Sequence, residues 1–407
     1  MLNINSFDRV KAALNFKNPD RVPVWKFQRD SDVFMMFKTP SQRWQPGHHE
    51  SEKGLFPHLV DEFILKKGYW KWESPSWISE NPSYMGNEWL NIEREEIDEW
   101  GNIWNRAGID TMGHPGRPTL LDYNDMGEYF NRYTPISDDP ECYSLSRSLK
   151  NKYGREKYRM AIFPDLGPFQ MASQLRGFNN FLVDHYRNKE QLKRLLEYMT
   201  DQYIKLEEMY IKFGTEPHGF VLYDDLGEQR HPFVKPDMFE EFYEPVYKRL
   251  IDKAHALGCD FHLHCCGKID RIIPHFVKWG LDSLELDSPR MTGYPDLKPF
   301  KGKIMIWGCI NIQSVYPQGT PAECEREVWH MMRNLGTQKG GYGAYYYPQV
   351  QHIQAPEENV NAFDEGLKKY GTYATVPNHW WDYPTENDWK DDIVPPLPPI
   401  KIEIKEK

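Results

Sequence analysis

The chain has 407 residues, 40% of them hydrophobic and 14% aromatic, and a formal net charge of −10. Its length suits two average domains or a single α/β barrel with insertions, since a barrel alone absorbs about 250 residues. The acidic balance excludes a duplex-DNA or polyanion binder, which needs a surplus of Lys and Arg to neutralise phosphates.

The N-terminus, MLNINSFDRVKAALNF, has neither the apolar core nor the small-residue cleavage site of a leader, and no long uninterrupted apolar run follows it. A soluble cytoplasmic protein is expected. Its six cysteines are too few for a disulfide scaffold, and Cys259, Cys265, Cys266 and Cys309 fall in one third of the chain. Reduced thiols follow.

Val10, Ala13 and Leu14 share one helical face, the pattern breaks at Asn18-Pro19, and a short strand is predicted at 22–25. Residues 30–150 are irregular and rich in Pro, Gly and aromatic side chains. Trp70, Trp72, Trp77, Trp89, Trp100 and Trp104 crowd there, as a secondary core or as an apolar lid over a pocket. From Tyr158 on, short apolar runs alternate with amphipathic stretches, the pattern of a parallel sheet wrapped by helices. The predicted strands are YRMAIF, GFVLY, CDFHLH, LDSLEL, KIMIWG and YGAYYY; the predicted helices are 177–213, 236–257, 269–279, 321–335 and 356–370. With the strand at 22–25 this makes seven, and an eighth hidden in the insertion would close a (β/α)8 TIM barrel. One barrel domain over 1–385, elaborated at 30–150, is expected, with a Pro-rich charged tail at 386–407.

Polar residues collect at the C-terminal ends of these strands: Asp165, then Asp224 and Asp225, then His264 to Cys266, Asp287, Cys309 with Asn311, and Tyr347. In such barrels the chemistry sits at that end.

Six segments, taken in order, resemble the uroporphyrinogen-decarboxylase-like superfamily and its corrinoid-dependent methyltransferase branch. They are RVKAALNFKNPDRVPV, EEIDEWGNIW, DLGPFQMASQLRGF, YDDLGEQ, HLHCCGKID and APEENVNAFDEGLKKYGTY. The resemblance implies a barrel enzyme, a cobalamin carried by a separate corrinoid protein, a zinc site, and a homodimer. Decarboxylases of the superfamily carry an Arg-Gln-Ala-Gly-Arg segment after the first strand; here WKFQRDSDVF offers only Arg29, so tetrapyrrole decarboxylation is disfavoured. Thiol-methylating relatives hold zinc with a His-x-Cys-Gly element and a distant Cys. His264 to Gly267 matches the first; in place of the second, YYYPQVQHIQ offers Tyr347, Gln349 and His352.

The leading expectation is therefore demethylation of a small substrate, a methoxylated aromatic compound, with transfer of the methyl group to cob(I)alamin. A methylcobalamin:thiol methyltransferase, a decarboxylase and a non-catalytic barrel are the alternatives. The chain has no Asp-x-His-x-x-Gly element, so the corrinoid is expected on a partner protein.

Displacement of an alkoxide at an sp3 carbon needs the leaving oxygen protonated or loaded with a Lewis acid. His264 and Cys266, two apart, point to the same face if the strand persists, and Cys265 to the other. A turn at Cys265 would instead let Cys265 or Cys266 meet Cys309. The metal candidates are thus His264, Cys266, Cys265 and Cys309, with Cys265 and Cys309 otherwise small buried hydrophobes. Cys259 and His262 are read as core residues. Of Asp224 and Asp225 only one can face the pocket from an extended strand. With Glu228 and Tyr223 these two acids are the catalytic candidates, Glu228 being alternatively a loop carboxylate paired with Arg230. Asp165, Asp287, Asn311, Gln313, Tyr347 and His352 are the substrate-binding candidates.

Overall fold

In the computed structural model the described residues are 4–41, 43, 67, 73, 76, 91–107 and 113–381. Trp70, Trp72, Trp77, Trp89 and the tail at 386–407 lie outside them. Among the described residues eleven strands occur: β1 (Val24–Trp25), β2 (Val33–Met36), β3 (Arg94–Ile97), β4 (Ile103–Arg106), β5 (His114–Pro115), β6 (Tyr158–Leu166), β7 (Gly219–Tyr223), β8 (Asp260–His264), β9 (Ser283–Leu286), β10 (Met305–Gly308) and β11 (Tyr342–Tyr345).

Eight of them form one sheet in the order β1-β11-β10-β9-β8-β7-β6-β2. Its two end strands meet where the Asp32 N–H donates to Val24 O at 2.8 Å, so the sheet closes into a (β/α)8 barrel. The strand hidden in the insertion is β2, which runs parallel to β6 with Val33 opposite Tyr158. Both faces of a parallel sheet are covered, hence the nearly continuous burial along β8, β9, β10 and β11.

Wrapping helices arise where apolar residues recur at helical spacing, and their ends carry the expected signals. Ser6–Leu14 is capped by Asn5, whose side chain accepts from Asp8 N. Pro321–Leu335 opens with a Thr320/Glu323 capping box. Two helices depart from the predicted spans. The one at 236–257 is interrupted by a π turn at Glu244–Lys248, because Pro245 has no N–H for the ladder. The one predicted from 269 starts at Ile273, where Pro274 takes the first turn and supplies no N–H.

Inside the barrel, Trp25 packs against Trp307 (5.6 Å, 80°) and Tyr345 (4.9 Å, 67°), all of them buried. Gly343 makes this fit, since a β-carbon there would stand 2.2 Å from the Trp307 ring. No helix among the described residues is long and apolar enough to cross a membrane.

The described residues divide into two compact units. The first takes those up to 36, then 149–162, and those from 216 on; the second takes 37–148 and 163–215. In the second, β3, β4 and β5 form an antiparallel sheet. The single helix predicted at 177–213 is realised as Phe178–Arg187 and Lys189–Lys212, parted at Asn188 and preceded by Pro168–Arg176. Trp100 is buried there, and Trp104 donates through Nε1 to Asp98 at 2.8 Å.

Candidate metal centre

Alternation along β8 sends Phe261, Leu263 and Cys265 to one face and His262, His264 and Cys266 to the other. Register then builds polar pairs across to β9, His262 opposite Ser283 and His264 opposite Glu285. Cys266 and Asp287 continue the row just past the strand ends. Tyr223 of β7, in register with His264, stacks on its ring at 4.5 Å.

The deepest pair is structural. His262 is fully buried, with Nδ1 at 2.6 Å from Ser283 Oγ and Nε2 at 2.8 Å from Tyr158 Oη. Its core reading thus agrees with its surroundings, as does that of the buried Cys259.

The next two pairs form a donor set. His264 Nδ1 bonds to Glu285 Oε2, which leaves Nε2 facing Cys266 Sγ at 3.6 Å and Asp225 Oδ1 at 3.7 Å. Cys266 Sγ lies 3.2 Å from Asp287 Oδ2. Asp225 is held by the Cys266 N–H, which donates to Oδ1 at 2.8 Å. The ligand atoms of Asp225, His264 and Cys266 lie within 4.8 Å of one another, and so do those of His264, Glu285 and Asp287.

Three observations fit this set to a zinc-type ion. Its nitrogen, sulfur and oxygen donors are those zinc takes, and a tetrahedral ion with bonds of about 2.0–2.3 Å separates its ligand atoms by roughly 3.3–3.7 Å. Glu285 Oε1 and Asp287 Oδ1 are buried with no hydrogen-bond partner among the described residues, which is costly unless something completes them. Electrostatics agree. Burial, then Asp225 and Asp287, push the Cys266 thiol up; burial raises Glu285 and Asp287 as well. Burial alone would lower His264, but Glu285, Asp287 and Asp225 outweigh it and hold the imidazole proton firmly. Crowded anionic donors keep protons that a dication would replace.

Two glycines bring the strand-end loops together. Gly267, at φ +90°, would carry a β-carbon 2.2 Å from Gly227 O, and a β-carbon on Gly227 would stand 2.9 Å from Lys268 O.

The other sequence candidates fall elsewhere. Asp224 is buried on the outward face and accepts from Tyr247 Oη at 2.7 Å. Cys265, on that same face, takes the Leu226 N–H at 3.3 Å, and Cys309, one strand further round on β10's end, is buried; neither belongs to the two donor groups. Glu228 and Gln313 are exposed, while Asn311 Oδ1 accepts from Gln313 N and Ser314 N to shape its own loop. Tyr347 is half-buried, and burial together with Asp287 and Cys266 pushes its phenol up to about 12. His352 lies in the turns after β11, its N–H on Gln349 O at 2.8 Å. Asp165 belongs to the second unit, where Trp100 Nε1 donates to it at 2.9 Å.

Glu285 is the residue that sequence reasoning passed over. Ser283, Glu285 and Asp287 alternate at period two, and an acid inside an otherwise apolar parallel strand is itself a signal, but LDSLEL reads first as an apolar run.

Comparison with known proteins bears on the barrel that carries these residues. Residues 160–370, just over half of the chain, match the family model described as uroporphyrinogen decarboxylase (URO-D). A methylated-thiol–coenzyme M methyltransferase of Methanosarcina mazei is 22% identical over 172 residues, 42% of this chain and 44% of that protein, so the match spans less than half of the relative's length. A solved structure described as a methyltransferase from Methanosarcina mazei superposes with a TM-score of 0.58 at 15% identity, over 90% of this chain and 99% of the other, a likeness of fold.

Proposed function

Because the chain belongs to the uroporphyrinogen decarboxylase family, we propose that its barrel serves methyl transfer, moving a methyl group between a small thiol and the corrinoid of a separate protein. The observation that carries this reading is the convergence of His264 and Cys266 with Asp225. The chain lacks the distant cysteine of thiol-methylating relatives, which favours ether demethylation on sequence grounds alone. The Asp225 carboxylate supplies an anionic donor in its place, and the partial match to a methylated-thiol methyltransferase points the same way.

His264 Nε2 and Cys266 Sγ would hold the ion together with Asp225, and Asp287 lies beside the Cys266 thiol. Zinc, when bound, supplies the Lewis acidity that keeps a thiol as its thiolate at neutral pH. The chain's own groups do the rest. Glu285 fixes the tautomer and direction of the His264 ring, and Tyr223, stacked on that ring, shields it from water. Asp225, held in place by the Cys266 N–H, has a side chain that is 35% exposed. Decarboxylation of a polyacid fits poorly, since the charges acting on His264 are carboxylates.

Demethylation of a methoxylated aromatic is the second reading. Tyr347 supports it, a half-buried phenol whose proton is held by burial and by the nearby charges of Asp287 and Cys266, and which would donate to a leaving oxygen.

The test is spectroscopic. Zinc-loaded protein, methylcobalamin and 2-mercaptoethanesulfonate should give zinc-dependent loss of the methylcobalamin spectrum, and cob(I)alamin with methoxyarenes, methylamines or methanol should give little gain. Gain from a methoxyarene alone selects the second reading; no transfer in either direction overturns both.

A further inference from the structure

A cavity within the second unit is lined by Lys38, Trp100, Ser137, Asp165, Gln202 and Tyr203, and has room for one water-sized group. Its walls are assembled from distant parts of the chain. Lys38 Nζ bonds to Glu99 Oε2 at 2.9 Å, and both residues are buried. Asp165 takes the Trp100 Nε1–H on one oxygen. Asp98, adjacent in sequence to Glu99, is saturated by Trp104, Asn102 and two backbone N–H groups.

Two buried acceptors, one in the cavity lining and one on the ion-pair partner of its Lys38, make no hydrogen bond among the described residues. Ser137, 4% exposed, lines the cavity with a hydroxyl that makes no hydrogen bond among the described residues, and Glu99, 8% exposed, has Oε1 in the same condition. Buried hydroxyls and carboxylate oxygens are seldom left so. Charge is also unbalanced: Asp98, Glu99 and Asp165 face Lys38. A water would satisfy the hydroxyl but leave the charge. A divalent ion would need a fuller shell of anionic oxygens than this lining offers, and Lys38, itself paired with Glu99, opposes its double charge more than a single one.

We propose that this cavity is a binding site for one monovalent cation of ammonium or potassium size, held between the Asp165 carboxylate and the Ser137 hydroxyl. The cation competes with a proton. Burial, then Glu99 and Asp98, push Asp165 up to about 7 against the opposing pull of Lys38, so occupancy rises as pH goes from 6 to 8.

Thermal unfolding of the full chain in ammonium, potassium and tetramethylammonium chlorides at equal ionic strength tests this. Expected is a saturable rise in Tm with ammonium or potassium, larger at pH 8 than at pH 6, and none with tetramethylammonium, which is too large. Response to ammonium but not potassium identifies N–H donation. Asp165→Asn should abolish the shift and Ser137→Ala weaken it. Equal Tm in all three salts at pH 8, or an unchanged shift in Asp165→Asn, overturns the proposal. Should Asp165→Asn fail to fold, the salt comparison on the unaltered chain decides.

Discussion

Glu285→Gln separates two roles that the donor geometry allows for this acid, orienting His264 or ligating the ion itself. Glu285 is 0% exposed, its Oε2 bonds to His264 Nδ1, and the substitution keeps volume and an acceptor while removing the charge. A unit charge pair about 4 Å apart at an effective dielectric near 20 is worth about 4 kcal/mol, which is the ceiling. The retained acceptor recovers part of it, and loss of an outer-shell partner typically weakens metal binding about 10–100-fold, or roughly 1.4–2.7 kcal/mol. Zinc affinity measured by competition with a chromophoric chelator should fall by that factor, with Tm measured alongside as a control for folding. Unchanged affinity would refute the orienting role. Affinity as low as that of Cys266→Ala would make Glu285 a ligand instead.

Replacing the neighbouring cysteines should give opposite outcomes: Cys266→Ala removes zinc, measured by elemental analysis, whereas Cys265→Ala leaves zinc in place and costs about 1 kcal/mol of stability from lost packing. Asp165 predicts a pH effect of definite sign. Unfolded, it ionises near pH 4; folded, it keeps its proton to about 7, so in sodium-free tetramethylammonium buffer this residue lowers stability as pH rises through that window. Asp165→Asn should flatten that part of the Tm profile; an unchanged slope would show that Asp165 does not carry it.

Much of the barrel was legible along the chain. Short apolar runs bounded by turns marked six strands, and their polar ends marked the face where His264, Cys266, Asp225 and Asp287 gather. Period-two alternation at His264, Cys265 and Cys266 anticipates which of the three faces inward, and the same rule anticipates that one of Asp224 and Asp225 turns away. Local rules also erred locally: Pro245 and Asn188 interrupt helices that apolar periodicity alone reads as continuous, because periodicity registers faces and not the hydrogen-bond ladder.

What the order of residues determines here is local: which segments are strands, which side of a strand each residue takes, and which family motifs appear. Which residues meet is decided by the fold. Cys309 sits on an inward phase yet misses the donor groups because its strand is one place further round the barrel, while Glu285 joins because register sets it opposite His264. Lys38, Glu99, Ser137 and Asp165 share a cavity wall or an ion pair across more than a hundred positions of chain. Alternation acts over two residues and can be read in one dimension; register and closure act between strands, and only packing settles them.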